Sequence, residues 1–170
     1  PLYERARDEG LLVARVHTGD PAIYGATAEQ RELLRRLGVA YESIPGVSAF
    51  SAAAARSDVE ITLPEVSQSL ILTRLEGGRT PMPPRESVRE FAAHGTTMAL
   101  YLSAARSHTL QQELLAGGYP PDTPVIIGHQ VTWPDEVMVR CRLDQLAATM
   151  KEHKFWKHTV ILVGPALAAT

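Results

Sequence analysis

Two glycine-containing turns in this 170-residue sequence have the residue types best suited to hold a ligand. The first follows a short β-branched run and reads Thr18-Gly19-Asp20-Pro21. The second, Pro45-Gly46-Val47-Ser48, precedes an alanine-rich segment. A strand, a glycine turn and a helix start together bring unpaired backbone amides to the carboxyl end of a strand, where ligands bind in α/β folds. One such turn is typical of any βα connection, whereas two in succession favour a parallel α/β sheet whose loops gather on one edge.

Side-chain chemistry of the usual kinds is not predicted. His153 and His158 are five residues apart, which is the wrong spacing for two metal ligands on a helix, so we predict no metal site. The sequence has no P-loop, no G-x-G-x-x-G and no nucleophile elbow, and Ser48 has no histidine partner by spacing. No catalytic residue is therefore assigned. The glycine turns suit a reaction in which the protein mainly positions its reactants.

The elements around the turns predict a two-domain α/β protein. Residues 1–65 are expected to be the remainder of a parallel-sheet N-terminal α/β domain, and residues 66–170 a C-terminal domain with a mixed sheet. In the first, we expect helices at 2–9, 28–37 and 49–56, strands at 11–16 and 39–44, and a helix start at Asp20-Pro21. In the second, we expect strands at 69–73, 97–102, 125–129, 136–142 and 159–163, and helices at 86–93, 107–115 and 143–153.

Composition and charge exclude several classes of partner. The net charge of −2 and the pI near 6.3 give no electrostatic reason to expect binding to nucleic acid or to an anionic membrane. Cys141 is the single cysteine, which excludes a disulfide framework within the chain and favours a reducing, cytoplasmic setting. The first residues are typical of a helix that ends at Gly10, so we expect the chain to be truncated at its N-terminus.

Several motifs resemble those of a known enzyme family. TGDPAIYG at 18–25 and PGVSA at 45–49 are similar to the paired signature of the tetrapyrrole, or class III, S-adenosylmethionine methyltransferases. LPEVSQS at 63–69 and WPDE at 133–136, with LTR at 72–74, Glu76 and RTP at 79–81, resemble the precorrin-4 C11-methyltransferases within that family. The resemblance extends over essentially the whole chain.

This resemblance implies a tetrapyrrole methylase fold with S-adenosylmethionine in the cleft between two domains and S-adenosylhomocysteine as product. The residues it assigns to the cofactor are Thr18, Gly19, Asp20, Ile23, Ser48, Ala49, Leu102 and Val131. Members of the family have a small residue at the position of Val131. Their first strand and its glycine-proline loop have no counterpart here, which again favours truncation. The implied partners are a small tetrapyrrole and a second copy of the chain, in a cytoplasmic homodimer.

The implied reaction moves a methyl group from the sulfonium of the cofactor to C11 of precorrin-4 or cobalt-precorrin-4, in cobalamin biosynthesis. The enzyme has to align the two reactants and exclude water. The acetate and propionate groups of the substrate need cationic partners. Arg74, Arg79 and Arg106 are the candidates, on loop position alone.

Two alternatives stay open. One is a non-catalytic, ligand-binding α/β module, which the incomplete start of the chain favours. The other is a different enzyme of the same family, such as a uroporphyrinogen or a diphthine methyltransferase. The motifs at 63–69 and 133–136 count against that second alternative.

Overall fold

The computed structural model describes residues 2–77 and 80–168. The chain divides into two compact units, residues 1–49 and residues 50–170. The division falls at the start of a helix, because residues 50–57 pack with the second unit: the guanidinium of Arg140 donates to the carbonyl oxygen of Ser57 at 2.5 Å. The domain boundary near residue 65 stays a prediction.

The first unit contains helices α1 (Leu2–Glu9) and α2 (Thr27–Arg36) and the first residue of α3 (Ala49–Arg56). All three helices were predicted, and the bounds of α1 and α3 match the expected ones. Helix α1 ends where Gly10 adopts a φ of 66°, a left-handed conformation that glycine takes without a steric penalty. Helix α2 has Glu29 in its first turn and two arginines in its last, as the helix dipole favours.

The two strands predicted in the first unit are wrong. Residues 11–16 and 39–44 form no β ladder with any described residue. A β-branched segment becomes a strand only when a neighbouring strand accepts its hydrogen bonds, and neither segment has such a neighbour among the residues that the structure describes. Their apolar side chains are consequently exposed, Leu12, Val16 and Ile44 most of all.

The predicted helix start at Asp20 is also wrong, because this residue forms a tight turn. Its carboxylate accepts the amide of Ala22 at 2.7 Å, and its carbonyl accepts the amide of Ile23 at 3.1 Å. An aspartate bonded to the amide two residues later is an Asx turn, which satisfies the same donors as a helix cap without starting a helix. Tyr24 and Ala26 then have positive φ angles of 54° and 50°, and α2 begins after them.

The second unit contains the mixed five-stranded sheet that the sequence predicts. Its strands are β1 (Leu70–Arg74), β2 (Thr97–Tyr101), β3 (Pro124–His129), β4 (Val137–Arg142) and β5 (Thr159–Val163), in the order β1-β2-β5-β3-β4. Strands β1 and β2 are parallel, β5 is antiparallel to both β2 and β3, and β3 and β4 form the expected antiparallel hairpin. Since β2 and β3 both oppose β5, strands β1, β2 and β3 all end at one edge of the sheet, which we call the carboxyl edge.

Three α-helices cover this sheet: α4 (Val88–Ala92), α5 (Ser107–Ala116) and α6 (Leu146–Glu152). Short 3₁₀ turns precede α5 and α6 and follow β5, at Ala104–Arg106, Leu143–Gln145 and Pro165–Ala168. Helix α4 is shorter than predicted because Ser87 fixes its start: the Ser87 hydroxyl accepts the Glu90 amide at 3.2 Å, and the Glu90 carboxylate accepts the Ser87 amide.

The core of the second unit lies between sheet and helices. Its largest fully buried side chains include Met98, Leu100, Ile127 and Ile161 from the strands and Leu110, Leu114, Leu146 and Met150 from the helices. Close packing of this kind holds the strand ends in fixed positions. The loops at the carboxyl edge therefore start from a rigid base.

Tyr119 makes the stability of this core depend on alkaline pH. Burial raises the pKa of Tyr119 to about 12, and its hydroxyl donates to the carbonyl of Thr96. A phenol in the unfolded chain titrates near 10, so the folded state holds this proton more tightly. The free energy of unfolding is therefore undiminished below pH 10 and falls by about 3 kcal/mol as the pH rises to 12.

We expect Tyr119→Phe to remove most of the decrease in the free energy of unfolding above pH 10. Urea unfolding of both proteins between pH 8 and 11.5 measures it, since the wild type should lose stability more steeply above pH 10 than the variant. At neutral pH the variant should be the less stable one, because the Thr96 carbonyl loses its donor. Parallel curves above pH 10 would contradict the assignment.

Candidate functional site

The two glycine turns pack against each other in the first unit. The amide of Gly46 donates to the Asp20 carboxylate at 3.4 Å. A β-carbon on Gly46 would lie 2.2 Å from the carbonyl oxygen of Gly19, a distance that no side chain could occupy. On the other side, a β-carbon on Gly19 would lie 3.7 Å from the amide nitrogen of Ala49 and 3.8 Å from Cα of Ser48. Glycine at position 46 is thus what permits the close approach of the two backbones.

The six residues of this unit that were predicted to contact a cofactor lie on these turns. Thr18 and Gly19 are exposed, and their amides donate no hydrogen bond to another described residue. Ala49 is the first residue of α3, and the first amides of a helix have no partner within it. Ile23 is half-buried and tied to the Asp20 turn, and Ser48 is buried. The structure therefore brings unpaired amides together beside a helix start, an arrangement that suits a polar or anionic ligand.

The two predicted cofactor contacts of the second unit both lie at the carboxyl edge. Leu102 directly follows β2, and Val131 comes two residues after the end of β3. Strand β5 separates β2 from β3, so the two strand ends are about 10 Å apart at normal strand spacing. That distance lets a single small molecule reach both loops.

The backbone is strained at Leu102 and on either side of Val131. Leu102 has a φ of 52° while its side chain is 74% exposed, and Gln130 and Thr132, on either side of Val131, have φ angles of 48° and 71°. Positive φ is uncommon for residues other than glycine and is a true outlier for a β-branched threonine. Strained residues persist only where their surroundings hold them, and they cluster at ligand sites.

The three arginines predicted to bind substrate differ in their surroundings. Arg79 lies outside the described residues. The Arg74 guanidinium donates to the carbonyls of Leu75 at 3.3 Å and Thr80 at 3.1 Å, and Arg106 donates to the carbonyl of Glu76. Both side chains thus hold the loop that follows β1. A guanidinium has five N–H donors, so each keeps donors for a carboxylate, and substrate contact stays a prediction for all three.

Sequence reasoning missed two polar groups near these loops. The Tyr101 hydroxyl accepts the amide of Phe50, near the start of α3, at 3.1 Å. Arg56, at the end of α3, pairs with the Glu136 carboxylate at 3.1 Å. Tyr101 could have been found as a polar tip at the end of a mainly apolar strand. Arg56 offered no sequence signal, because its partner lies 80 residues away.

The surroundings of His129 and Cys141 favour the uncharged forms of both side chains. Among the described residues, no group of three His, Cys, Asp or Glu side chains could hold a metal ion. His129 stacks on Phe155 with ring centroids 4.4 Å apart, and burial, with a contribution from His158, lowers the pKa of His129. Burial raises the pKa of the Cys141 thiol, which disfavours the nucleophilic thiolate.

In the part of the chain that the structure describes, no helix is long and apolar enough to span a membrane.

Comparison with known proteins agrees with these features. The model of the family described as tetrapyrrole (corrin/porphyrin) methylases matches residues 2–147. The chain belongs to this family. The α/β fold with a mixed sheet, implied by the resemblance, is confirmed: the X-ray structure of a cobalamin biosynthetic enzyme, cobalt precorrin-4 methyltransferase, superposes with a TM-score of 0.92 at 45% identity, covering 96% of this chain and 68% of that one.

Named tetrapyrrole methylases match over nearly the whole chain. Cobalt-precorrin-4 C(11)-methyltransferase of Priestia megaterium is 46% identical over 98% of this chain and 64% of its own length. Precorrin-4 C(11)-methyltransferase of Pseudomonas aeruginosa is 46% identical over 99% and 66%. A uroporphyrin-III C-methyl transferase of Thermus thermophilus, complexed with S-adenosylhomocysteine, shares the fold at 24% identity and a TM-score of 0.78, over 98% of this chain and 71% of that one. The chain thus spans slightly less than two thirds of the named C(11)-methyltransferases.

Proposed function

We propose that this chain is part of an S-adenosylmethionine-dependent methyltransferase acting at C11 of precorrin-4 or cobalt-precorrin-4 in cobalamin biosynthesis. The names of its relatives support this reaction. The observation that carries the proposal is the packing of the Gly19 turn against the Gly46 turn, which places unpaired amides beside a helix start. The packing fits a ligand held by backbone groups, as expected when the protein positions its reactants.

The proposed cofactor contacts are those of the resemblance. In the first unit they are Thr18, Gly19, Asp20, Ile23, Ser48 and Ala49, whose turns offer amide donors and an exposed, glycine-lined backbone. In the second unit they are Leu102 and Val131, on the strained loops of the carboxyl edge. The Thermus thermophilus relative, named with S-adenosylhomocysteine bound, supports a cofactor of this kind.

The chain's own residues have three tasks in this proposal. S-adenosylmethionine, when bound, supplies a methyl group that is already activated on a sulfonium. In the first unit the glycine turns hold it, and in the second unit the exposed Leu102 side chain offers an apolar surface that excludes water. The remaining donors of Arg74 and Arg106 bind carboxylates of the tetrapyrrole while the same side chains hold the loop that follows β1.

Two measurements test the proposal. Calorimetry should detect binding of S-adenosylhomocysteine to the purified protein, and labelled methyl should pass from S-adenosylmethionine to a precorrin-4 substrate. Transfer to uroporphyrinogen III in its place would identify a different member of the family. Cofactor binding without transfer to either acceptor would favour a non-catalytic binding module, and the absence of binding would overturn the proposal.

We further propose a cytoplasmic homodimer as the working form, as the family resemblance implies. Light scattering coupled to gel filtration checks the oligomeric state. A mass of one chain across the working concentration range would contradict a dimer.

Cys141→Ser and His129→Ala are each expected to leave methyl transfer within about threefold of the wild type, because positioning mechanisms need no side-chain nucleophile. Burial already keeps the Cys141 thiol protonated, and His129 bonds to the Thr159 hydroxyl at 3.0 Å. The same labelled-methyl assay, with substrate saturation checked for each variant, measures this. Loss of all transfer in either variant would contradict a positioning mechanism.

A further inference from the structure

Glu136, the last residue of the WPDE motif, has a second contact that the proposed function does not use. The same carboxylate oxygen that pairs with Arg56 also accepts the amide of Thr132 at 2.5 Å. It therefore joins the end of α3 to the backbone of the loop between β3 and β4. Glu136 is only 21% exposed at its side chain, so water competes weakly for this bond.

Backbone bonds also hold the start of the loop of residues 130–136. The amide of Gln130 donates to the carbonyl of His158 at 2.8 Å, and the amide of Trp133 donates to the carbonyl of Gln130 at 2.8 Å. Between these bonds, Thr132 keeps its unfavourable φ of 71°. A single charged acceptor on its amide is the contact that holds the residue there, because a bond to a carboxylate is about twice as strong as a neutral one.

We infer that Glu136 is a positioning residue: it fixes the loop that presents Val131 to the methyl donor, through the amide of Thr132. Arg56 has a lesser part, since it orients the carboxylate but does not touch the loop backbone. This inference rests on the proposed function for the role of Val131. The bond between Glu136 and Thr132 does not depend on it.

The chain offers a matched control for the ion pair. Arg89 and Glu113 pair at 2.8 Å in the same unit, with side-chain exposures of 56% and 27% against 55% and 21% for Arg56 and Glu136. Glu113 links α4 to α5 and accepts no bond from the loop of residues 130–136. Glu113→Ala therefore removes an ion pair of similar exposure and leaves the contact between Glu136 and the Thr132 amide unchanged.

Calorimetric titration with S-adenosylhomocysteine is the first test. Glu136→Ala should weaken binding about tenfold, the effect expected when one hydrogen bond to a charged group is lost. Glu136→Gln keeps an oxygen acceptor and should recover most of that loss, while Arg56→Met and Glu113→Ala should stay within about twofold of wild type. Thermal midpoints of all variants should stay well above the temperature of the titration, so that a change in affinity is not a loss of folded protein.

The amide proton of Thr132 is the second test, because it reports the loop without any ligand. Its NMR resonance should move upfield, and its exchange should become faster, in Glu136→Ala but not in Glu136→Gln or Glu113→Ala. An unchanged Thr132 amide in Glu136→Ala would overturn the positioning role. Wild-type affinity in that variant, or an equal loss in Glu113→Ala, would overturn it too. If the wild type itself gives no heat with S-adenosylhomocysteine, the proposed function is wrong, and so is the role of Val131 toward a methyl donor. The Thr132 amide measurement still tests the contact between Glu136 and the loop, because it needs no ligand.

Discussion

Replacing Gly46 with valine is expected to abolish detectable binding of S-adenosylhomocysteine and, with it, methyl transfer. A β-carbon at this position would lie 2.2 Å from the carbonyl oxygen of Gly19 and 3.4 Å from Cα of Asp20. Because these are backbone atoms, no side-chain rotation relieves the collision, and the two turns must separate. A misplacement of about 1 Å in a positioning site lowers the rate on the order of a hundredfold, and the separation required here is larger.

Two other glycines of the first unit provide the controls. Gly38 has a φ of 66°, and a β-carbon built there would meet no atom within 4 Å. Gly38→Val therefore imposes backbone strain without a collision. It should lower stability by about 1–2 kcal/mol and leave the affinity for S-adenosylhomocysteine unchanged. Gly19→Ala, with a φ of 67° and contacts no closer than 3.7 Å, should weaken binding moderately, whereas Gly19→Val should abolish it. Calorimetry and thermal unfolding are run on all four proteins, and wild-type affinity in Gly46→Val would mean that these turns are not the site.

Replacing Gly128 with alanine is expected to lower methyl transfer about tenfold, because the new β-carbon forces the Val131 side chain to rotate or its loop to shift. Gly128 lies in β3, one residue before its end, and a β-carbon there would lie 2.6 Å from Cγ2 of Val131. The remaining neighbours are 3.3 Å away, at Cβ of Ala53 and Sδ of Met138, and need to give by only a few tenths of an ångström. The collision with Val131 therefore dominates.

The double variant Gly128→Ala, Val131→Ala is the decisive comparison. Shortening Val131 removes the atom in collision, so transfer should return to within about twofold of the wild type, as strong coupling between residues in contact predicts. Val131→Ala alone should be mild, since an alanine retains the backbone that faces the donor. If the double variant is as inactive as Gly128→Ala, the loss comes from Ala53 and the packing of α3, and Val131 is not the reason.

The periodicity and capping residues of the sequence were enough to predict most elements of the second unit. Strand β5, at 159–163, and the hairpin of β3 and β4 were predicted within one residue, because long apolar runs and alternation report burial in a sheet. Where the sheet is covered on both faces, local pattern and tertiary environment agree. The same β-branched pattern failed at 11–16 and 39–44, because a strand also needs a neighbour, and no property of the segment itself supplies one.

For the site, the sequence by itself was enough to predict which glycine turns could hold a ligand and to predict that no histidine or cysteine takes part in the chemistry. It did so because a glycine turn between a strand and a helix start has a recognisable spacing. Only the tertiary structure decided what each glycine does: Gly46 faces the backbone of Gly19, whereas a β-carbon on Gly19 would have room. Only the structure, too, assigned Arg74 and Arg106 to the loop that follows β1, and Glu136 to the Thr132 amide. The physical reason is that such bonds join atoms whose separation depends on how the loops fold back, and spacing along the chain carries no record of that.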